Sequence, residues 1–298
     1  MRVLNFGSLN IDYTYRVEHI AKPGETITSQ TLEIFPGGKG LNQSIALAKA
    51  GAKVFHAGLI GEDGRFLKDL CQEAGADVSL IRESTVRTGN AIIQVSNEGQ
   101  NSILLFSGAN RQNTEEYIEE VLAHFEKEDI LLLQNEINRI DVLIKKGKEK
   151  GMKVVLNPSP FDEHIGECDL SKVDLFFLNE VEGEQITGEK EFTAILAKMN
   201  ERFPEAEVVL TVGAKGAYYS DGKTKVFQES FPVQAVDTTA AGDTFTGFFL
   251  AAAIEGATGE EALRRAAKAS SIAVSRKGAS VSVPTKEEVD DQLGPGDF

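Results

Sequence analysis

Short, almost wholly apolar runs alternate with stretches of helical spacing along most of this chain, and that alternation narrows the fold more than any other feature. The runs "ILLL" (Ile130–Leu133), "KVVL" (Lys153–Leu156) and "DLFFL" (Asp174–Leu178) carry no polar face and are too short for buried helices. Apolar on both sides, they read as strands of a parallel sheet covered by helices on both faces. Around them, Arg2–Gly7 reads as a strand feeding a loop, Lys39–Ala52 as a helix stopping at Gly51, and Asp243–Glu255 and Glu260–Val274 as two late helices. Residues 13–35 and 88–106 break the rhythm. The second reads as a hairpin turning at Asn97–Gly99, and both are expected to form a lid or small accessory sheet. The expectation is an α/β fold in a single domain over residues 1–298.

Composition narrows the function. The chain has 31 basic and 46 acidic side chains, a net charge of −15, which argues against nucleic acid as a main partner. A small anion held by backbone N–H groups and one or two cations remains open. No apolar run approaches the roughly 20 residues of a membrane span. The N-terminus reads as a strand and turn, not a signal peptide. Two distant cysteines, Cys71 and Cys168, suit a reduced, cytoplasmic protein.

Two nucleotide fingerprints fail. "GGKG" (Gly37–Gly40) would need glycine at 43 for a dinucleotide loop and has Gln43; "GAYYSDGKT" would need glycine at 217 for a P-loop and has Ala217. What survives clusters at strand ends, where open α/β sheets bind ligands. In "GSLNID", at the end of the first strand, Asn10 and Asp12 share one face, suited to neighbouring sugar hydroxyls or to a plain Asx turn. In "PGGKGLNQ" two glycines let backbone approach a ligand, with Lys39 and Asn42 near the helix start. Gln134 and Glu136 end one buried strand. Asn179, Glu180 and Glu182 end another, where Asn179 and Glu182 could order Mg²⁺ through water or form a helix cap. "TVGAKGA" (Thr211–Ala217) is a glycine-rich turn. The most specific stretch is "VDTTAAGDTF" (Val236–Phe245). Ala241, Gly242 and Asp243 open a long apolar helix, whose unpaired N–H groups would form an anion hole, with Asp243 placed as a general base. Phosphoryl transfer asks for that combination.

Taken in order, "GSLNID", "PGGKGLNQ", "LNPSP", "NEVE", "TVGAKGA", "AVDTTAAGDTF" and the tail "IAVSRKGASVSVP" resemble the ribokinase-like (PfkB-type) sugar kinases over nearly the whole chain. The resemblance implies a doubly wound, mostly parallel sheet with a β-sheet lid that also serves as a dimer clasp. It implies ATP-dependent phosphorylation of ribose at O5, or of fructose, another pentose or a nucleoside. Asp243 would take the proton, and Ala241 and Gly242 would supply the anion hole. Asn10, Asp12, Gly38, Lys39, Asn42 and Glu136 would hold the sugar. Asn179 and the turn Thr211, Gly213, Ala214, Lys215, Gly216 would contact ATP, with Glu182 ordering magnesium. A monovalent cation, K⁺, would be enclosed by the Asp237 carboxylate, the carbonyls of Thr239, Ala273, Arg276 and Gly278, and Ser282. The chain departs from the family pattern at Leu41, usually Ala, and at Ile11, usually Ala; both enlarge side chains near the expected sugar pocket. A non-catalytic sugar sensor would have lost the base or the anion hole, and both motifs are intact.

Overall fold

The structure, a computed structural model, describes residues 1–294. The first half of the chain runs β1 (Val3–Phe6), β2 (Asn10–Val17), β3 (Thr31–Gly37), α1 (Lys39–Lys49), β4 (Val54–Ile60), α2 (Arg65–Glu73), β5 (Asp77–Glu83), β6 (Gly89–Ser96), β7 (Asn101–Phe106), α3 (Glu115–Ala123), β8 (Ile130–Gln134) and α4 (Ile140–Glu149). The second half runs β9 (Lys153–Asn157), α5 (Glu163–Glu167), β10 (Leu175–Asn179), α6 (Glu180–Thr187), α7 (Phe192–Arg202), β11 (Glu207–Thr211), β12 (Gly216–Ser220), β13 (Lys225–Glu229), α8 (Ala241–Ile254), α9 (Gly259–Val274) and α10 (Lys286–Leu293).

The apolar runs become β8, β9 and β10 in the middle of a nine-stranded sheet ordered β13-β12-β11-β10-β9-β8-β1-β4-β5. All pairings are parallel except those of the β12–β13 hairpin with β11 and with itself. Alternate strand side chains feed two cores. Leu132, Val155, Phe177 and Val209 pack with Leu41, Ile45, Phe249 and Ala266 of α1, α8 and α9. Leu131, Leu133, Val154, Leu156 and Phe176 pack with Ile118, Leu143 and Leu196 of α3, α4 and α7. Burial on both faces is why these strands lack a polar stripe.

The second, four-stranded sheet is ordered β3-β2-β6-β7. It is wider than the sequence indicates, so Asn10 and Asp12 lie on β2 and not at the end of the first strand, which stops at Phe6. The chain crosses between sheets at Gly7, where a Cβ would stand 2.4 Å from Gln134 Oε1 and 2.7 Å from Gly40 Cα. Strand β5 and helices α3, α5, α7 and α10 were not among the elements expected from the sequence. Helix α10 is short, opens on a Thr285–Glu288 capping box and buries Val289 and Leu293 in the core. Ile11 and Leu41 are buried in the core with α1 and α8, and neither lines the cavities described below.

Candidate active site

Helix α8 opens without any side-chain cap, on Ala240 in the left-handed conformation (φ 59°). Non-glycine residues occupy that region at a cost, and such strain gathers at functional sites. The Thr244 amide is satisfied by the Ala240 carbonyl at 2.8 Å. The Ala241 amide differs from expectation: it is turned to the Thr238 carbonyl at 3.3 Å. Among the described residues no acceptor meets the Gly242 or Asp243 amide, so the free donors of the first turn are those two. A Cβ on Gly242 would stand in open space.

Asp243 is buried, and its carboxylate does not cap its own helix. Asn42 Nδ2 donates to Oδ2 at 3.0 Å and Gln43 Nε2 to Oδ1 at 2.9 Å, both from the first turns of α1. The two helices cross closely because Gly247 has no side chain; a Cβ there would lie 2.4 Å from Ala46 Cβ.

Lys39, the first residue of α1, faces three carboxylates. Burial pulls its ammonium down, but Asp243, Glu136 and Glu182 together outweigh that and hold it above the ordinary lysine value. It is therefore cationic at neutral pH. Glu136 accepts from the Lys39 amide at 3.0 Å and from the Ser8 hydroxyl, which fixes the loop ahead of α1. Burial pushes the Glu136 carboxyl up, against the pull of Lys39. Asp12, on β2, is pushed up to about 6, by burial first and by Glu136 second. Asn10 is fixed by Asn110, whose Nδ2 donates to Asn10 Oδ1 at 2.7 Å.

Two adjoining cavities meet at the start of α8. One, about 300 Å³ and polar, is lined by Lys39, Asn157, Asn179, Glu182, Thr211, Thr238 and Ala241–Asp243. The other, about 490 Å³ and mostly apolar, is lined by Gly213, Ala214, Gly216, Phe231, Val233, Ala267 and Val274, among others. They share Thr211, Gly213, Thr238, Ala241 and Gly242. Residues 2–286 match the pfkB family of carbohydrate kinases. The chain is 39% identical to a ribokinase of Haemophilus influenzae, over 95% of each, and 34% identical to one of Bacillus subtilis, over 96% of this chain and 97% of that one. A solved structure of Arabidopsis thaliana ribokinase complexed with ribose and ATP superposes with a TM-score of 0.87 at 31% identity, over 99% of both chains.

The chain belongs to the PfkB carbohydrate kinase family. Like its relatives, this PfkB kinase is a phosphotransferase acting on a sugar hydroxyl. Of the residues singled out from its sequence, Lys39, Asn179, Glu182, Thr211, Gly213, Ala214, Gly216 and Ala241–Asp243 line the two cavities, whereas Asn10, Asp12, Gly38, Asn42 and Glu136 line neither. Asn179 and Glu182 form a complete capping box on α6, the Asn179 side chain accepting from the amides of Val181 and Glu182 while Glu182 accepts from Asn179. Lys215 does not line either cavity, and its ammonium lies over the Phe192 ring at 4.9 Å. Asp237 accepts from the Thr239 amide at 2.9 Å and the Gly278 amide at 3.0 Å, and the Val236 amide donates to the Val274 carbonyl. The two segments expected to enclose a cation are thus side by side. Arg276 donates its amide to the Ala273 carbonyl, and the Ser282 hydroxyl donates to Ala279. The apolar cavity wall (Phe231, Val233, Ala267), Asn110 and Gln43 escaped the sequence reading. The wall is assembled from a loop and one face of α9 that carry no motif. Gln43 was visible only as the glycine missing from a dinucleotide loop.

Proposed function

We propose that this chain transfers the γ-phosphoryl group of ATP to the primary hydroxyl of D-ribose, giving ribose 5-phosphate and ADP. The observation that carries the reading is the buried Asp243 carboxylate beside two free helix amides, with Lys39 opposite. In this reading O5 gives its proton to Asp243 and bonds to the γ-phosphorus as the bond to the bridging oxygen of ADP breaks. The Gly242 and Asp243 amides and Lys39 stabilise charge on the transferring oxygens. Ala241 acts by its small size. Asn10, Asp12, Gly38, Asn42 and Glu136 bind the sugar. The apolar cavity takes the adenine, with the turn from Thr211 to Gly216 beneath it. Ile11 and Leu41, the two departures from the family pattern, are buried in the core with α1 and α8.

Glu182 is the residue for Mg²⁺. Each of its oxygens accepts one bond from Asn179 and keeps a lone pair, which fits a role through the water shell of the ion. When bound, Mg²⁺ supplies charge neutralisation on the β- and γ-phosphates. Asp237, the carbonyls of Thr239, Ala273, Arg276 and Gly278, and Ser282 are the set for K⁺. All are oxygen donors, as a hard cation prefers, and Asp237 already bridges both loops. The small sheet is read as both lid and dimer clasp, within one catalytic domain, and the free cysteines fit a cytoplasmic protein. A coupled ADP-release assay over ribose, fructose, other pentoses and adenosine tests the substrate. Ribose should have the highest kcat/KM, and a higher value for fructose or adenosine would reject it.

A further inference from the structure

A line of fully buried polar side chains runs from the base into the core. Asn5 on β1, Gln43 and Ser44 on α1, His56 on β4 and Gln134 on β8 all have no exposed surface. Gln43 Nε2 donates to Asp243, and Gln43 Oε1 accepts from Gln134 Nε2 at 2.7 Å. Gln134 Nε2 spends its second hydrogen on Asn5 Oδ1 at 2.9 Å. Asn5 Nδ2 in turn donates to the Gly40 carbonyl and to Ser44 Oγ, both at 2.8 Å, and Ser44 meets His56 Nδ1 at 2.7 Å.

The Gly40 carbonyl, which can only accept, sets the direction of the bonds from Asn5 to Asp243; the Ser44–His56 bond takes its direction from the imidazole tautomer. Asn5 and Gln43 each offer an oxygen to Gln134, so the Gln43 nitrogen must face Asp243. The line also leaves polar atoms unpartnered at Gln134 Oε1 and His56 Nε2. Buried polar groups without partners are costly, and an apolar core would avoid the cost. Burial pushes His56 down to about 4, so the far end is neutral and adds no charge. Asn42 alone would leave the Asp243 carboxylate free to turn about its Cβ–Cγ bond, because it holds only one oxygen.

We propose that Gln43 and Gln134 are positioning residues for phosphoryl transfer: Gln134, anchored on Asn5, orients Gln43, and Gln43 fixes the rotation of the Asp243 carboxylate toward the acceptor hydroxyl. The proposal rests on the reading of Asp243 as the base. It binds no ligand, so its loss should appear in kcat and not in KM.

The full-length protein is compared as wild type, Gln134→Met, Gln43→Glu, Asp243→Asn and the Gln134→Met/Asp243→Asn double variant, with thermal melting alongside kinetics. For Gln134→Met, kcat should fall on the order of 10²-fold, as expected for a misplaced reacting group, while KM for ribose and for ATP stays within about threefold. In the Asp243→Asn background the same change should lower residual turnover no further, because the two act as a unit. Gln43→Glu keeps the shape but replaces the amide donor with a carboxyl set against Asp243, and should also lose kcat; it carries the test if Gln134→Met does not fold. A folded Gln134→Met or Gln43→Glu protein with wild-type kcat, or a double variant with additive losses, overturns the proposal while leaving the base assignment standing. Wild-type kcat in Asp243→Asn would instead remove the base itself and the proposal with it.

Discussion

Asp243 sits where an acidic residue commonly caps a helix, and its favourable position near the α8 dipole is real. Yet both its oxygens accept from α1 and none from the amides of α8. Capping does not account for it. Asp243→Asn should lower kcat by roughly 10²–10⁴-fold with ATP and sugar binding and the melting temperature largely kept. A folded variant with wild-type kcat would contradict this. Asp12 makes a pH prediction. Its carboxyl is pushed up to about 6, so it is ionised above that pH and protonated below. With Asp12 in its proposed sugar-binding role, its protonation removes an acceptor for sugar hydroxyls. KM for ribose should therefore rise as pH falls through 6, and KM for ATP should not follow it. In Asp12→Asn that pH dependence should vanish. For stability the sign is opposite: a raised carboxyl binds its proton more tightly when folded, so the penalty of its buried charge is lifted as pH falls through 6.

Helices α1 and α8 act as a pair, because Asn42 and Gln43, which hold the Asp243 carboxylate, ride on one and Asp243 on the other. Gly247 sets their spacing. In Gly247→Ala the new Cβ meets Ala46 Cβ at 2.4 Å and the Ala46 and Leu47 backbone at 2.8 Å, so α1 must move. We expect a loss of about 1–3 kcal/mol of stability, the usual cost of overpacking, together with a drop in kcat. Chemical denaturation and steady-state assays would show whether the two fall together. The loops flanking Asp237 carry the cation prediction. At matched ionic strength, kcat should be higher in KCl than in NaCl or a bulky organic cation. Asp237→Ala should lose that difference, and equal rates in all three salts with a fully active Asp237→Ala would exclude the cation.

On the scale of the molecule, the small sheet leaves apolar side chains in solvent. Leu32 and Ile34 on β3 and Ile103, Leu104, Leu105 and Phe106 on β7 are all about half exposed or more, Leu104 at 66%. Exposed apolar side chains on both edge strands of the small sheet make it a candidate interaction surface. With the small sheet as the proposed dimer clasp, the wild-type chain should have a dimer's mass by light scattering and Leu104→Asp a monomer's, with the large sheet still folded; a monomeric wild type or an unchanged mass in Leu104→Asp would reject the clasp. The amino-acid sequence by itself determined the α/β class, the positions of the buried strands, the extra sheet and the motifs at the start of α1 and α8, because apolar periodicity and glycine-rich turns are local signals. It also showed Asp243, Lys39 and Glu136 as candidates. Only the tertiary structure decided that Ala241 turns its amide to Thr238, that Lys215 lies over Phe192 and that Ile11 and Leu41 pack in the core. It alone joined Asn5, Gln43, Ser44, His56 and Gln134, which come from three strands and a helix far apart in the chain. Hydrogen-bond direction and side-chain facing depend on neighbours distant in sequence, and no local pattern encodes them.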